Sequence, residues 1–357
     1  MTPLQLYIDF CVFLFGATIG SFLNVCVHRL PREQSIVKPP SSCPHCGQRI
    51  RWFDNIPLVS YLALRGRCRY CGAKFTARYF LVELITALLF LVIWMRFDAW
   101  LAPVYWLFAG GLIVATFIDF EHFIIPNEIT YGGVVLGLVL STLYPPLMNT
   151  TSVLGALGHS FLGMLTGAAL LMVIVEVGKL IFGRHKIPLG PGTKIIVADR
   201  KLHVGDEEMA WLDLFYRESD AIEFTAKSLK FGDQSFENAK IVIHEKTLTV
   251  NGQNYDLAGL GSIEATADLI IIPREAMGLG DVKLLAAIGA FLGWRAALFT
   301  VFASSLIGGV VGLTLILLRK TDWQSRIPYG PYIVVGALTW IFFGQQLVHW
   351  YMNFVRG

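Results

Sequence analysis

Charge is what this sequence has least of. Only 15% of its 357 residues are charged, against about 25% in an ordinary soluble domain, while 55% are hydrophobic. That balance excludes a soluble globular chain and points to a membrane protein. No internal repeat or low-complexity tract is visible, which removes solenoids and disordered tails from consideration. The first residues lack the basic region and small-residue cleavage site of a secretory signal, so the first apolar run is expected to stay as a helix. The net charge of +3 says little about partners, and no nucleic acid is expected among them.

What is abundant is apolar sequence in runs near twenty residues, the length that crosses a bilayer as a helix. Seven such runs cover residues 6–27, 79–95, 99–118, 131–148, 160–182, 296–318 and 331–352. An eighth, 281–294, is only about 20 Å long as a helix, short of a hydrocarbon core of roughly 30 Å. The predicted fold is an all-α polytopic membrane protein of about eight membrane helices, one of them short. Of the 29 basic residues, 26 fall in 28–78, in 179–283, or at Arg319, Lys320 and Arg326, which places those segments on the cytoplasmic side.

Two segments break the apolar pattern. Residues 184–273 carry short alternating runs, "KIIVAD", "AIEFTA", "KIVIHEKTLTVNG" and "DLIIIP", with Asn251-Gly252 as a hairpin turn; they predict a small antiparallel β-rich soluble insert. The other segment, 28–78, holds Cys43, Cys46, Cys68 and Cys71 as two C-x2-C pairs. Tetrahedral zinc needs four converging thiolates, and each pair supplies two from a tight turn, with Gly47 and Gly72 following where such a knuckle takes positive φ. Two disulfides are the competing reading, disfavoured in a reducing cytoplasm. Cys11 and Cys26, in the first apolar run, read as small buried hydrophobes.

Carboxylates in apolar helices are costly and call for a reason. Asp9 and Glu176 have local explanations, Glu176 lying one turn from Lys179. Glu83, at the start of a helix, is a candidate for support of a site. Asp119 closes an apolar run in "ATFIDFEHFIIPNEIT", and Asp281 follows Gly278 and Gly280 in "MGLGDVKLLAAIGAFLGW". Capping alone would explain Asp281. Counting crossings, however, puts both acids at one depth on the cytoplasmic face, where two aspartates can share a proton in the manner of an aspartic protease. The glycines then form a tight turn that admits a substrate backbone. Asp281 at a positive helix end, with Lys283 near, is expected to be the base, and Asp119, beside Glu121 at a negative end, the acid.

These residues resemble the type IV prepilin peptidase family. The likeness rests on "GSFLNVCVHRLP" at 20–31, the cysteine pairs, "NIPLVSYLALRGRC", "RYFLVELITALLF", "IDFEHFIIPNEIT", "GLGD" and "IPYGPY" at 327–332. It covers everything except roughly 186–272. It implies Asp119 and Asp281 as catalytic acids of a bifunctional leader peptidase and N-methyltransferase in a bacterial inner membrane, its site facing the cytoplasm. It further implies prepilin or pseudopilin substrates, pilus or secretion machinery as neighbours, structural zinc, and S-adenosylmethionine as methyl donor. Expected divisions are 1–27, 28–78 with zinc and a link to methyl transfer, 79–185 carrying Asp119, the insert 186–272, and 273–357 carrying GLGD. No Gly-rich loop after a strand marks the donor's site. Asn24, Arg29 and Asn55 are the candidates there, and Glu83, Glu121, Gly278, Gly280 and Lys283 are candidates around the acids. The sequence departs from the family at Glu121 and Asn127, where Asp is frequent, and in carrying the β-rich insert. Presenilin-type proteases share Gly-x-Gly-Asp but lack the four-cysteine loop. A proton-coupled transporter would show acids at mid-membrane and inverted repeats, and a pilus-assembly scaffold would carry the zinc loop without catalysis.

Overall fold

The computed structural model describes residues 2–356 apart from 183, 191, 199, 206, 212–213, 216–219, 233, 274–276 and 319–326. Arg217, Arg274, Arg319, Lys320 and Arg326, counted above toward orientation, lie outside the described residues. The chain divides into two compact units, Met1–Met172 with Gly278–Gly357, and Val173–Met277.

The first unit is helical. Its elements are α1 (Pro3–Arg29), the short α2 (Val59–Ala63), α3 (Arg78–Arg96), α4 (Leu101–His122), α5 (Asn127–Leu143), the part of α6 (Val153–Phe182) up to Met172, α7 (Leu279–Leu292), α8 (Trp294–Leu317) and α9 (Gly330–Arg356). Among the described residues six helices are long and apolar enough to cross a membrane, and α5 is shorter. The run expected at 131–148 starts earlier, after Pro126, and stops at Leu143, because Pro145 and Pro146 cannot continue a helix and instead open a 3-10 turn. At 17 residues α5 is about 26 Å long, and α7 at 14 residues about 21 Å.

Small residues decide how these helices meet. A Cβ on Gly16 would lie 2.8 Å from Ala87 Cα, and one on Gly20 2.7 Å from Glu83 Cα, so the Gly-x-x-x-Gly face of α1 brings its backbone onto α3. The same device surrounds α7. Gly133 and Gly137 of α5 sit against Ala287 and Ala290, while Gly163 of α6 meets Gly289 backbone to backbone. Ser160 Oγ donates to the Ala290 carbonyl at 2.6 Å, in a fully buried setting. From Val282 to Phe291 nearly every residue of α7 is buried. A helix enclosed by protein on this scale need not match the bilayer thickness, which accounts for its length.

Among the described residues the second unit holds ten strands, β1 (Arg184–Pro188), β2 (Lys194–Ala198), β3 (Lys201–Val204), β4 (Glu207–Ala210), β5 (Ile222–Phe231), β6 (Gln234–Ile243), β7 (Thr247–Val250), β8 (Gln253–Asp256), β9 (Ile263–Thr266) and β10 (Leu269–Pro273). All pair antiparallel in the order β4-β3-β2-β9-β5-β6-β7-β8, with β10 joining β5 to β1. Alternation along β5 puts Ile222, Phe224 and Ala226 into a core with Ile241, Ile243 and Leu248. Asn251 and Gly252, at φ 50° and 90°, turn β7 into β8 as their residue types require. Lys179, one turn from Glu176, also reaches Asp220 at 3.4 Å.

Candidate active site

Three helix ends build the site. α4 finishes when Phe123 takes φ 55° and its N–H closes on the Asp119 carbonyl, so Asp119 occupies the last turn. α7 begins at Leu279, making Asp281 its third residue. α9 begins at Gly330, whose N–H donates to Asp119 Oδ2 at 2.9 Å. Ile125 lies between: a Cβ on Gly280 would stand 3.2 Å from its Cβ, and one on Gly330 3.2 Å from its Cδ1. Asp119 and Asp281, 5% and 8% exposed, are close enough to act on each other electrostatically. Asp281 makes no capping bond, and its Oδ1 is buried without a partner. Burying a carboxyl oxygen unpartnered costs several kcal/mol less if it carries a proton, so one proton shared between two acids is the state this geometry suits.

The flanking residues differ in part from expectation. Gly278 and Gly280 do not form a left-handed turn: Gly278 has φ −71°, and Gly280, already helical, is small because Ile125 packs on it. Lys283 does not face Asp281; its Nζ donates to Asn127 Oδ1 at 2.9 Å and stands over the Tyr131 ring, tying α7 to α5. Glu121 pairs with Arg78 at 2.5 Å, since residues two apart on a helix point away from each other and Glu121 therefore faces α3. Its charge is neutralised, and Asp119 stands at the amide end of α9. Asp119 thus stands in the C-terminal turn of α4 with its carboxyl at the N-terminus of α9, and the two dipoles oppose each other there. Glu83, buried, accepts the Leu58 N–H at 2.7 Å and so holds the loop before α2 against α3.

The four cysteines converge. The sulfur atoms of Cys43, Cys46, Cys68 and Cys71 all lie within 4.8 Å of one another, with Cys43 and Cys71 3.9 Å apart. That separation is far beyond an S–S bond and near the tetrahedral edge of about 3.8 Å that follows from a Zn–S distance of about 2.3 Å. The two knuckles are built alike: Gly47 N–H returns to the Cys43 carbonyl and Gly72 N–H to that of Cys68, both glycines at φ 70°. Backbone N–H groups of Cys71 and Tyr70 pull the Cys68 thiol down to about 7, while desolvation and the neighbouring sulfurs push Cys71 up to about 11 against the pull of the Ala73 N–H, so the crowded thiols hold their protons unequally. Of the other two cysteines, Cys26 is buried and Cys11 is exposed.

The donor-site candidates have local duties. Asn24 Nδ2 donates to the Tyr79 carbonyl at 2.9 Å, setting the start of α3 against α1. Arg29 donates to the carbonyls of Ser35 and Pro39 and pins the loop after α1. Asn55 is exposed at the end of a 3-10 turn. Two residues that sequence reasoning passed over stand out instead. Gly330 touches Asp119 directly, and the sequence carried it only inside "IPYGPY", with no role attached to it. Arg78 is 9% exposed at the foot of α3, a buried cation that the sequence carried at the head of "RYFLVELITALLF" with no role attached to it.

Known proteins resemble the chain along most of its length. Residues 14–97 match the bacterial peptidase A24 N-terminal domain, and residues 106–190 and 247–313 match the type IV leader peptidase family. The chain is 29% identical to a prepilin leader peptidase/N-methyltransferase of Aeromonas hydrophila, over 96% of this chain and 93% of that protein. A protein of the same name from Pseudomonas aeruginosa is 27% identical over the same shares. Another, from Myxococcus xanthus, is 42% identical over 53% of this chain and 54% of its own length. No solved structure matches the chain. The acids, the cysteine cluster and both family matches fall on one chain, which belongs to the type IV leader peptidase family.

Proposed function

We propose that this protein is a membrane aspartyl endopeptidase that removes the basic leader from type IV prepilins or pseudopilins and then methylates the new N-terminal amine with S-adenosylmethionine. The observation that carries the peptidase reading is the pair of buried carboxyls, Asp119 and Asp281, meeting at adjoining helix ends with one oxygen unpartnered. One carboxylate takes a proton from water as the oxygen attacks the scissile carbonyl. The other, protonated, donates to the carbonyl oxygen, giving a tetrahedral diol. The C–N bond then breaks as the first acid returns its proton to the leaving amine, and one diol hydroxyl, reforming the carbonyl, gives its proton back to the second acid. Gly330 N–H fixes Asp119 through this cycle, and Ile125 keeps the two helix ends in register. Methyl transfer rests on the names of the relatives.

Cys43, Cys46, Cys68 and Cys71 hold a structural zinc, which organises residues 28–78 and takes no part in bond making. α5 and α7 lie within the bilayer beside the six longer helices, giving eight membrane helices. Residues 186–272 form a soluble insert. The protein resides in a bacterial inner membrane, and the site opens to the cytoplasm, where 28–78 also lies. The test is incubation of purified prepilin with the purified protein: mass spectrometry reports loss of the leader, and separately the gain of about 14 Da from methylation. Intact prepilin after prolonged incubation would overturn the reading.

A further inference from the structure

Between the two cysteine knuckles, residues 56–64 carry no charged side chain, in a loop otherwise rich in Arg and Lys. The outer face of this stretch is apolar. Ile56, Val59 and Leu62, three residues apart, are 41%, 60% and 64% exposed, while Ser60 turns inward and is buried. The peptidase mechanism uses none of them. Contacts with the helices fix how deep the stretch lies. The Leu58 N–H donates to Glu83, and the Tyr61 ring centroid is 5.6 Å from that of Phe80, so α2 lies alongside residues 80–83 of α3. Glu83 is level with Gly20 of α1, where a Cβ would stand 2.7 Å from Glu83 Cα, and Gly20 is nine residues, about 14 Å, short of the end of α1. At that level α3 has already begun its exposed apolar stripe of Leu81, Ile85, Leu88, Val92 and Met95, spaced four and three apart as on a helix side turned to lipid. The backbone suits the same place. Leu58 takes φ 63° and ψ −50°, with the Val59 N–H closing on the Pro57 carbonyl at 2.7 Å, a γ-turn of the rare, strained kind. Such a turn persists only where its surroundings hold it, here the bond to Glu83. The Ile56 N–H goes to Ser60 Oγ and the Ser60 N–H to the Ile56 carbonyl, and Pro57 has none, so no amide from 56 to 60 needs water.

We propose that residues 56–62 are an interfacial anchor, whose Ile56, Val59 and Leu62 side chains enter the boundary between headgroups and acyl chains beside α3 and hold the cysteine module down on the bilayer. The partner is lipid. Depth decides for it over a protein partner, because the stretch stands at the level where the Leu81 stripe begins, and any surface left open there meets the membrane first. Charge placement agrees. Arg65 and Arg67, exposed just after the apolar stretch, can lay their stems along it and keep their guanidinium groups among the headgroups. The anchor also gives the strained turn at Leu58 and the buried acid Glu83 a common purpose, which is to set the depth of α2. It rests on α1 and α3 crossing a bilayer, and it does not depend on the peptidase reading.

The test is photo-crosslinking of the full-length protein in vesicles of phosphatidylethanolamine and phosphatidylglycerol, with p-benzoylphenylalanine in place of Val59, Leu62, Leu88 or Gln48 in turn. Leu88, exposed in the middle of α3, is the lipid standard, and Gln48, exposed on a cysteine knuckle, is the aqueous one. Mass spectrometry of the adducts should find phospholipid at 59 and 62 at least fivefold above 48 and within threefold of 88. Ile56 gives a third position on the same face, so the comparison stands if one variant fails to fold. Lipid labelling at 59 and 62 no greater than at 48 overturns the anchor. Adducts to prepilin, or to a second copy of the chain, that replace the lipid adducts once prepilin is added or protein density is raised also overturn it. Leu88 without a lipid adduct would overturn the membrane reading on which the anchor rests. A protein that gives the expected lipid pattern yet leaves prepilin uncut keeps the anchor and refutes the peptidase reading alone.

Discussion

Gly330→Ala isolates the contact that holds Asp119. The added Cβ would stand 2.7 Å from Asp119 Oδ2 and 3.2 Å from its Cγ, with Ile125 Cδ1 at 3.2 Å on the far side, so neither partner can yield freely. To reach an ordinary contact near 3.4 Å, the oxygen must move about 0.7 Å, more than the roughly 0.5 Å within which a catalytic group has to be held. A misplacement near 1 Å costs about a hundredfold in rate, so kcat/KM for prepilin cleavage should fall by about 10 to 100-fold, about 1.4 to 2.7 kcal/mol of transition-state stabilisation. Stability should move little. Gly330 has no positive φ, so alanine suits the helix by about 0.4–1 kcal/mol, offsetting part of the crowding. Gly132→Ala is the control, because a Cβ there meets nothing within 4 Å. The assay is the initial rate of leader removal by mass spectrometry, beside thermal unfolding in the same detergent. If Gly330→Ala cleaves within twofold of wild type, Asp119 does not need the position that Gly330 gives it, and the proposed support of the acid is refuted.

The sequence made plain those features whose chemistry is local. Cys43, Cys46, Cys68 and Cys71 announce a metal because each pair shapes its own turn, and Gly47 and Gly72 complete it without help from elsewhere. Asp119 and Asp281 announce themselves because a carboxylate in an apolar helix has few other uses. The hairpin at Asn251 and Gly252 is written in two residues. Contacts between distant elements were not legible. Gly330 is 211 residues from Asp119, and nothing in a Gly-Pro pair says which side chain its amide meets. Glu121 was close in sequence to Asp119 and therefore taken as its neighbour, but helical rotation turns it to Arg78, 43 residues away. The glycines of "GLGD" suggested a turn by their type, whereas Gly280 is set by Ile125 packing, a tertiary cause.

Three further results are expected. Asp119→Asn and Asp281→Asn should each lower cleavage by about 10² to 10⁴-fold with the protein still folded, because neither amide can exchange a proton; near-normal processing by either would remove that acid from the mechanism. Metal analysis should find about one zinc per chain, and the double change Cys43→Ser with Cys46→Ser should release it and open residues 28–78 to proteolysis; wild-type protein free of zinc would refute the metal site. Gly289→Ala should cost about 1–3 kcal/mol of stability, seen as a lower unfolding temperature, because the Cβ lands on the Gly163 backbone carbonyl, which cannot rotate away, and α6 and α7 must separate. As α7 carries Asp281, cleavage should decline together with stability in this variant, whereas in Gly330→Ala it declines alone; Gly158→Ala, with open space at its Cβ, should change neither, and a Gly289→Ala protein as stable as wild type would show that α7 is not clamped by α6.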